Sequence, residues 1–285
     1  MAVVNFVPDI WSARILTALS RNAVAGGIVN RDYEGDIRGG GDSVKITNFV
    51  DPTIGNYTKH TDITVEDIDD ATQALLIDQQ KYFAFELDDI ERAQSVNGGA
   101  VMAEATKRAA YGLKNTLDAF LFTTLAAGAS AAAPDHQVAE ATINTPAGAY
   151  DALVNWGVLL DNADVPEEDR WAVITPAFHG LILKDERFIK AGDDASQNTR
   201  LNGRVGQAAG FEIHKSNNLP AGPGAGAGTS MIAGYRGACT LAEQIVSVEA
   251  ARMEKRFADM VKGLHVYGAK VTRPTGLVVA DVIVA

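Results

Sequence analysis

Between residues 97 and 127, Ala105, Ala109, Leu113, Leu117, Phe120, Leu121 and Leu125 recur at three- and four-residue intervals. Glu104, Lys107, Arg108, Lys114 and Asp118 fall mainly off that stripe. This period marks one face of an α-helix. About 30 residues at 1.5 Å each make about 45 Å of helix, against an average of roughly 12 residues. Outside a coiled coil, a helix of that length is a beam on which other elements are hung.

The chain ahead of the beam cannot supply its own core. Gly39, Gly40 and Gly41 directly precede an alternating run, Ser43-Val44-Lys45-Ile46-Thr47. A glycine triplet tolerates backbone angles that other residues do not, so it reads as a hinge. A polar excursion follows, with turn signals at Asp51-Pro52 and Gly55-Asn56 and acid packed into residues 61–70. A second strand-like run, Ala74 to Leu87, carries Leu, Ile, Phe and Tyr. Two strands with roughly two dozen polar residues between them predict a long hairpin with little beneath it, which has to lean on another chain. Residues 1–36, with a helical patch at Ile10–Leu19, read as an arm that is disordered or lies on a neighbouring surface.

Shorter elements follow the beam, so the expected class is α+β. Residues 147–162 predict a helix with Tyr150, Leu153, Val154, Val158 and Leu159 on its apolar face. Trp171–Ile174 predicts a buried strand, and Thr175-Pro176 an N-cap and first turn of the next helix. Residues 190–204 read as loop, and Val205–Ser216 as a turn and strand around Gly210-Phe211-Glu212-Ile213. Gly222, Gly224, Gly226 and Gly228, with two prolines nearby, predict a flexible surface loop. Residues 240–254 are ambiguous: Thr240-Leu241-Ala242-Glu243 fits a capping box, whereas Ile245, Val246 and Val248 favour strand. Leu264–Thr272 and Leu277–Val284 read as strands separated by Pro274 and Gly276.

The residues that carry chemistry are scattered. The single cysteine, Cys239, excludes an internal disulfide and a cysteine-based zinc cluster, and its apolar setting reads as structural. His60, His136, His179, His214 and His265 lack metal-ligand spacing. No GxSxG or Walker motif occurs, and the alternate glycines of 222–228 never fit GxGxxG. Glu66, Asp67, Asp69 and Asp70 lack calcium-loop order; they read as a solvated loop face, or as a contact for a basic patch on another subunit. The expectation is therefore no enzyme, no cofactor and no metal. The start carries no signal-peptide pattern and no run reaches bilayer length, so no membrane partner is expected. With 25 Lys and Arg against 36 Asp and Glu, net −11, the chain is ill suited to hold nucleic acid by counterion release.

Three stretches carry a family resemblance. They are Val165-Pro166-Glu167-Glu168-Asp169-Arg170-Trp171-Ala172-Val173-Ile174-Thr175-Pro176; Gly206-Gln207-Ala208-Ala209-Gly210-Phe211-Glu212-Ile213 with Ser216-Asn217-Asn218-Leu219-Pro220; and Phe257-Ala258-Asp259 with Gly263-Leu264-His265-Val266-Tyr267-Gly268-Ala269-Lys270-Val271, ending in Arg273-Pro274. In this order they resemble the tailed-bacteriophage major capsid protein of the Hong Kong ninety-seven capsid fold, in the coat-protein branch of the Salmonella phages.

The resemblance, which spans essentially the whole chain, implies an N-terminal arm at 1–36 and an extended β-hairpin loop at 37–92. It implies a peripheral domain at 93–190 with a spine helix at 97–127, an axial domain at 191–250, and C-terminal strands at 251–285 returning to the peripheral domain. It would make 240–254 extended and place the loop of Gly222, Gly224, Gly226 and Gly228 near the capsomer centre. Gly39, Gly40 and Gly41 would serve as the hinge, with Lys59, Glu66, Asp67, Asp69 and Asp70 as inter-subunit loop contacts. Lys59 lies near the loop tip, where some members place an isopeptide lysine, but nothing marks a partner asparagine. The chain would pair with itself in hexamers and pentamers of an icosahedral shell, with a portal, a decoration protein in some members, and a separate scaffolding protein, since no long scaffolding segment precedes the arm. The span from Phe188 to Phe211 is too short for the inserted domain of the Salmonella-phage branch. The shell would assemble in the host cytoplasm and become the virion capsid, and its acidic subunits would enclose duplex DNA without specifically binding it. Rival readings are an encapsulin-type nanocompartment and an unrecognised enzyme.

Overall fold

The computed structural model describes residues 24–32, 43–49, 54–57, 59–60, 62, 70–90, 98–129, 131, 135–185, 206–224, 226 and 228–284. In chain order these form α1 (Ala25–Ile28), β1 (Ser43–Phe49), β2 (Asp70–Leu76), β3 (Gln79–Asp88), α2 (Gly98–Gly128) and β4 (Gln137–Ile143). Then come α3 (Pro146–Asn162), β5 (Arg170–Ile174), α4 (Pro176–Leu183), β6 (Gln207–Ala208), β7 (Phe211–Lys215), β8 (Thr229–Tyr235), β9 (Cys239–Arg252), β10 (Ala258–Val271) and β11 (Leu277–Val284). The helical patch at 10–19, the glycine triplet and the loop at 190–204 lie outside the described residues.

The strands fall into three sheets: β1-β2; β3-β10-β9; and β4-β11-β8-β5-β7-β6. The central strands β5, β8 and β11 of the six-stranded sheet are buried on both faces, and alternation along them sorts the side chains. Trp171, Val173, Ile232, Leu277 and Val279 face a core built with α1 and the C-terminal half of α2. Ala172, Ile174, Met231, Ala233, Val278, Ala280 and Val282 face a second core under α3 and α4. A strand covered on both sides reads as a continuous apolar run. Leu277–Val284 was legible as strand for that reason.

The expected beam is α2, and its apolar stripe buries unevenly: Leu117, Leu121, Phe122 and Leu125 are buried, while Ala105, Ala109 and Leu113 are only partly covered. Both following helices start at threonine caps, Thr145 accepting from the Gly148 N–H and Thr175 from the Phe178 N–H. Residues 240–252 are strand, within β9, and the capping-box pattern forms no helix.

Two expectations need correction. The run Ala74–Leu87 is not one strand. It breaks at Ile77-Asp78, with β2 pairing β1 and β3 pairing β10 in another sheet. The apolar face of α3 is also different: Ala149, Leu153, Trp156, Gly157 and Leu160 are buried, whereas Val154 and Val158 are 40% and 49% exposed. The helix turns its small residues to the sheet, and Gly157 sits over the Phe211 ring and the Ala209 carbonyl. Small residues give no hydrophobic signal in the sequence.

Among the described residues of the β1–β2 hairpin, Ile46, Leu75 and Ile77 meet Ala242 of β9 in a buried cluster. Among the described residues no helix is long and apolar enough to cross a membrane.

Candidate functional site

Segment 24–31 is stitched to the body at both ends. Asp118, expected off the apolar stripe, is buried on α2, and its carboxylate accepts from the backbone N–H groups of Val24 (3.0 Å) and Ala25 (3.1 Å). Burial pushes the Asp118 carboxyl above its usual range, and the two amide bonds pull it part of the way back. At the other end Asn30 extends the edge of β9: its N–H donates to the Cys239 carbonyl and its carbonyl accepts from the Leu241 N–H. Arg31 then pairs with Glu243, whose other oxygen lies 2.7 Å from His265 Nε2. The hydrogen bond to His265, seconded by the charge of Arg31, holds Glu243 below the usual carboxylate range despite its burial.

The glycine-rich loop is also pinned. Its alternation has a steric cause, because every second residue faces Asp281 of β11 or Glu140 of β4. The Gly224 N–H donates to Asp281 Oδ2 and the Gly226 N–H to Glu140 Oε2, each at 3.0 Å, and the Gly222 N–H donates to the Gly228 carbonyl at 2.9 Å. A Cβ at Gly222 would lie 1.7 Å from Asp281 Oδ1, and one at Gly224 would lie 2.1 Å from Glu140 Oε2. A Cβ at Gly228 would meet Asp281 Oδ1 at 2.0 Å, and one at Gly226 would meet Glu140 Oε1 at 2.5 Å. The four glycines therefore wrap two carboxylates, where the sequence had suggested a loop without fixed shape.

Arg170 explains part of the first shared stretch. Nearly buried, it pairs with Asp161 at 2.7 Å and donates to the carbonyls of Pro166 and Val165, clipping the turn from α3 into β5. The Ala209-Gly210 turn of the second stretch has positive φ at both residues (49° and 82°), as a two-residue hairpin requires.

Gly39, Gly40, Gly41, Glu66, Asp67 and Asp69 lie outside the described residues. Asp70 opens β2, paired across from Phe49. Lys59 is exposed in a turn next to His60, at φ 66°. No described element brings these positions to the glycine loop. Among the described residues no group of three His, Cys, Asp or Glu is placed to hold a metal ion. Cys239 is buried, and burial pushes its thiol up to about 12.

Large apolar side chains stand in water on the single chain: Ile54, Tyr57, Tyr82, Ile90 and Phe257 are each more than 60% exposed. They lie on the strands and turns around the two smaller sheets.

The chain belongs to the phage capsid protein family, whose profile matches residues 71–280. A solved structure from Mycobacterium phage Che8 is 30% identical, with 98% of each chain covered and a TM-score of 0.81. The capsid structure of cyanophage P-SCSP1u (16% identity, 98% of this chain and 94% of that chain, TM-score 0.78) shares the fold. So does bacteriophage PhiM1 in its mature capsid (16%, 96% and 91%, TM-score 0.73). No curated protein matches the chain. The protein is thus a major capsid protein of the Hong Kong ninety-seven fold, a structural subunit that self-assembles into the icosahedral shell of a virion. An encapsulin-type compartment is not favoured, since the matched family and these neighbours are phage capsids.

Proposed function

We propose that copies of this chain gather into hexamers and pentamers, with a separate scaffolding protein and a portal, to enclose double-stranded phage DNA without binding it specifically. The observation that carries the reading is the β1–β2 hairpin, which among the described residues buries Ile46, Leu75 and Ile77 against Ala242 of β9, a small core for a two-stranded unit. Packing against a neighbouring copy adds buried area that the monomer lacks, and weak contacts repeated around a shell stabilise it collectively. The described residues perform no chemistry in this reading, and assembly takes place in the host cytoplasm.

The arm at 1–36, the extended loop at 37–92 and the axial placement of the Gly222–Gly228 loop belong to the same proposal, as do the peripheral and axial domains. Strand pairing suggests one adjustment to the division at 190/191. Because β5 lies between β7 and β8 and β11 lies beside β8, the axial unit takes in 137–183 and 277–284, while α2 and the β3-β10-β9 sheet make the peripheral one. Gly39, Gly40 and Gly41 act as the hinge between capsomer curvatures, and Lys59, Glu66, Asp67, Asp69 and Asp70 as loop contacts to the next copy. A decoration protein and assignment to the Salmonella-phage branch remain proposals of the resemblance alone. Nuclease-protected duplex DNA recovered from purified particles tests the reading. Particles that form but never protect DNA, even with portal and scaffold present, would contradict it.

A further inference from the structure

Two carboxylates meet under the glycine-rich loop. Strands β4 and β11 run parallel, with Ala280 opposite Val138 and Val282 opposite Ala141. Ala139 and Glu140 of β4 therefore stand against the single residue Asp281 of β11. A bulge of this kind re-aims side chains, and here it brings Glu140 beside Asp281. The point where Gly224 would carry a Cβ lies 2.1 Å from Glu140 Oε2 and 2.6 Å from Asp281 Oδ2, so one small ion can reach both oxygens. The segments that build this corner, 115–169, 216–235 and 274–285, contain no Lys or Arg. Like charges held side by side on a sheet repel, and burial strengthens the repulsion.

Asp281 supplies a second, independent sign. It is only 4% exposed. Its Oδ2 accepts from the Gly224 N–H, but its buried Oδ1 has no hydrogen-bond partner. That oxygen faces the loop, since a Cβ at Gly222 or Gly228 would fall 1.7 or 2.0 Å from it. A buried charge is ordinarily paired or bound to a metal. Glu140 is exposed and opens the same corner to solvent.

The donors are all oxygen, which selects a hard cation over zinc or copper. Calcium accepts oxygens at 2.3–2.6 Å in irregular geometry, whereas magnesium demands a near-ideal octahedron at 2.0–2.1 Å. We propose that Asp281 and Glu140 bind a calcium ion beneath the Gly222–Gly228 loop, with solvent completing its shell, and that the ion fastens the loop to the sheet. Among the described residues no third Asp, Glu, His or Cys joins them, so the expected dissociation constant is weak, about 10⁻⁴–10⁻³ M. The site lies within one chain and does not depend on how copies assemble.

The test melts the full chain, freed of metal by a chelator, in rising calcium chloride, with magnesium chloride as control. The melting temperature should rise with calcium and level off, as binding to the folded state alone requires, and magnesium should do much less. Glu140→Gln, at an exposed position and still able to accept from the Gly226 N–H, should need at least about tenfold more calcium for half the shift. Asp281→Asn should lose the shift. Glu140→Gln decides the matter even where Asp281→Asn does not fold. A melting temperature that calcium does not move would overturn the proposal. So would a shift that Glu140→Gln keeps at the same midpoint, as binding to the acids of 61–70 would give, or an equal shift with magnesium.

Discussion

Asp118 and Glu243 fix the two ends of segment 24–31, and they answer to pH with opposite signs. Glu243 is held below its usual range, so its contribution to stability is present above the ordinary carboxylate range and is lost as pH falls through its lower folded value. Asp118 is pushed above its usual range, so its contribution is fully present below that range and fades as pH rises through the folded value. In acid-unfolding curves, Glu243→Gln should remove a destabilisation on acidification that the unmodified chain shows. An unchanged curve would count against the Glu243 contacts. Asp118→Ala leaves two backbone donors without an acceptor and should cost about 1–3 kcal/mol in urea unfolding. Neither residue announces itself in the sequence. A carboxylate off an apolar stripe reads as solvent-facing, and only the return of residues 24–25 across α2 makes this one internal. Asp281 is hidden in the same way: it sits on β11 in phase with Leu277 and Val279, at the point where glycines replace helix as cover. Gly222→Ala drives a Cβ into that buried carboxylate and should cost about 1–3 kcal/mol. Combined with Asp281→Ala, the loss should fall short of the sum by about 0.5–3 kcal/mol. Strict additivity would mean that the alternate glycines have another cause.

Among the elements, local signals were legible and long-range ones were not. The threonine cap of α4, the buried run of β5 and the period of α2 are each decided within about four residues of the chain, which is the distance over which capping and helix periodicity act. The face of α3 and the break between β2 and β3 depend on partners far away in sequence. Gly157 faces inward because Phe211 lies beneath it, and β2 ends where Gly268 of β10 passes. That crossing is a sharp test. A Cβ at Gly268 would stand 2.0 Å from the Leu76 carbonyl oxygen, a backbone atom that cannot step aside. Gly268→Ala should therefore destabilise the chain by about 3 kcal/mol and loosen the β1–β2 hairpin against β10. Gly112→Ala, on an exposed part of α2 with nothing within 4 Å of the new methyl, should instead stabilise the free subunit by about 0.5–1 kcal/mol. Thermal unfolding of the two variants side by side separates steric exclusion from helix propensity.

At the scale of the whole molecule, the described residues divide their apolar surface between two substantial cores and one small one, and leave large side chains such as Tyr82 and Phe257 in water. Among the described residues, the buried carboxylates Asp118 and Asp281 hold backbone segments in place, and the partly buried Glu243 pairs with Arg31 and His265. On the proposed reading, net charge −11 on every copy would make the shell wall a poor adhesive for duplex DNA, and confinement would rest on closure of the shell. The central claim is that copies of this chain build that shell. Electron microscopy of the purified protein, expressed alone and with a candidate scaffolding protein, tests it most directly. Uniform icosahedral shells, or rings of five and six subunits, are the predicted result. A monodisperse monomer or small dimer under both conditions would contradict it.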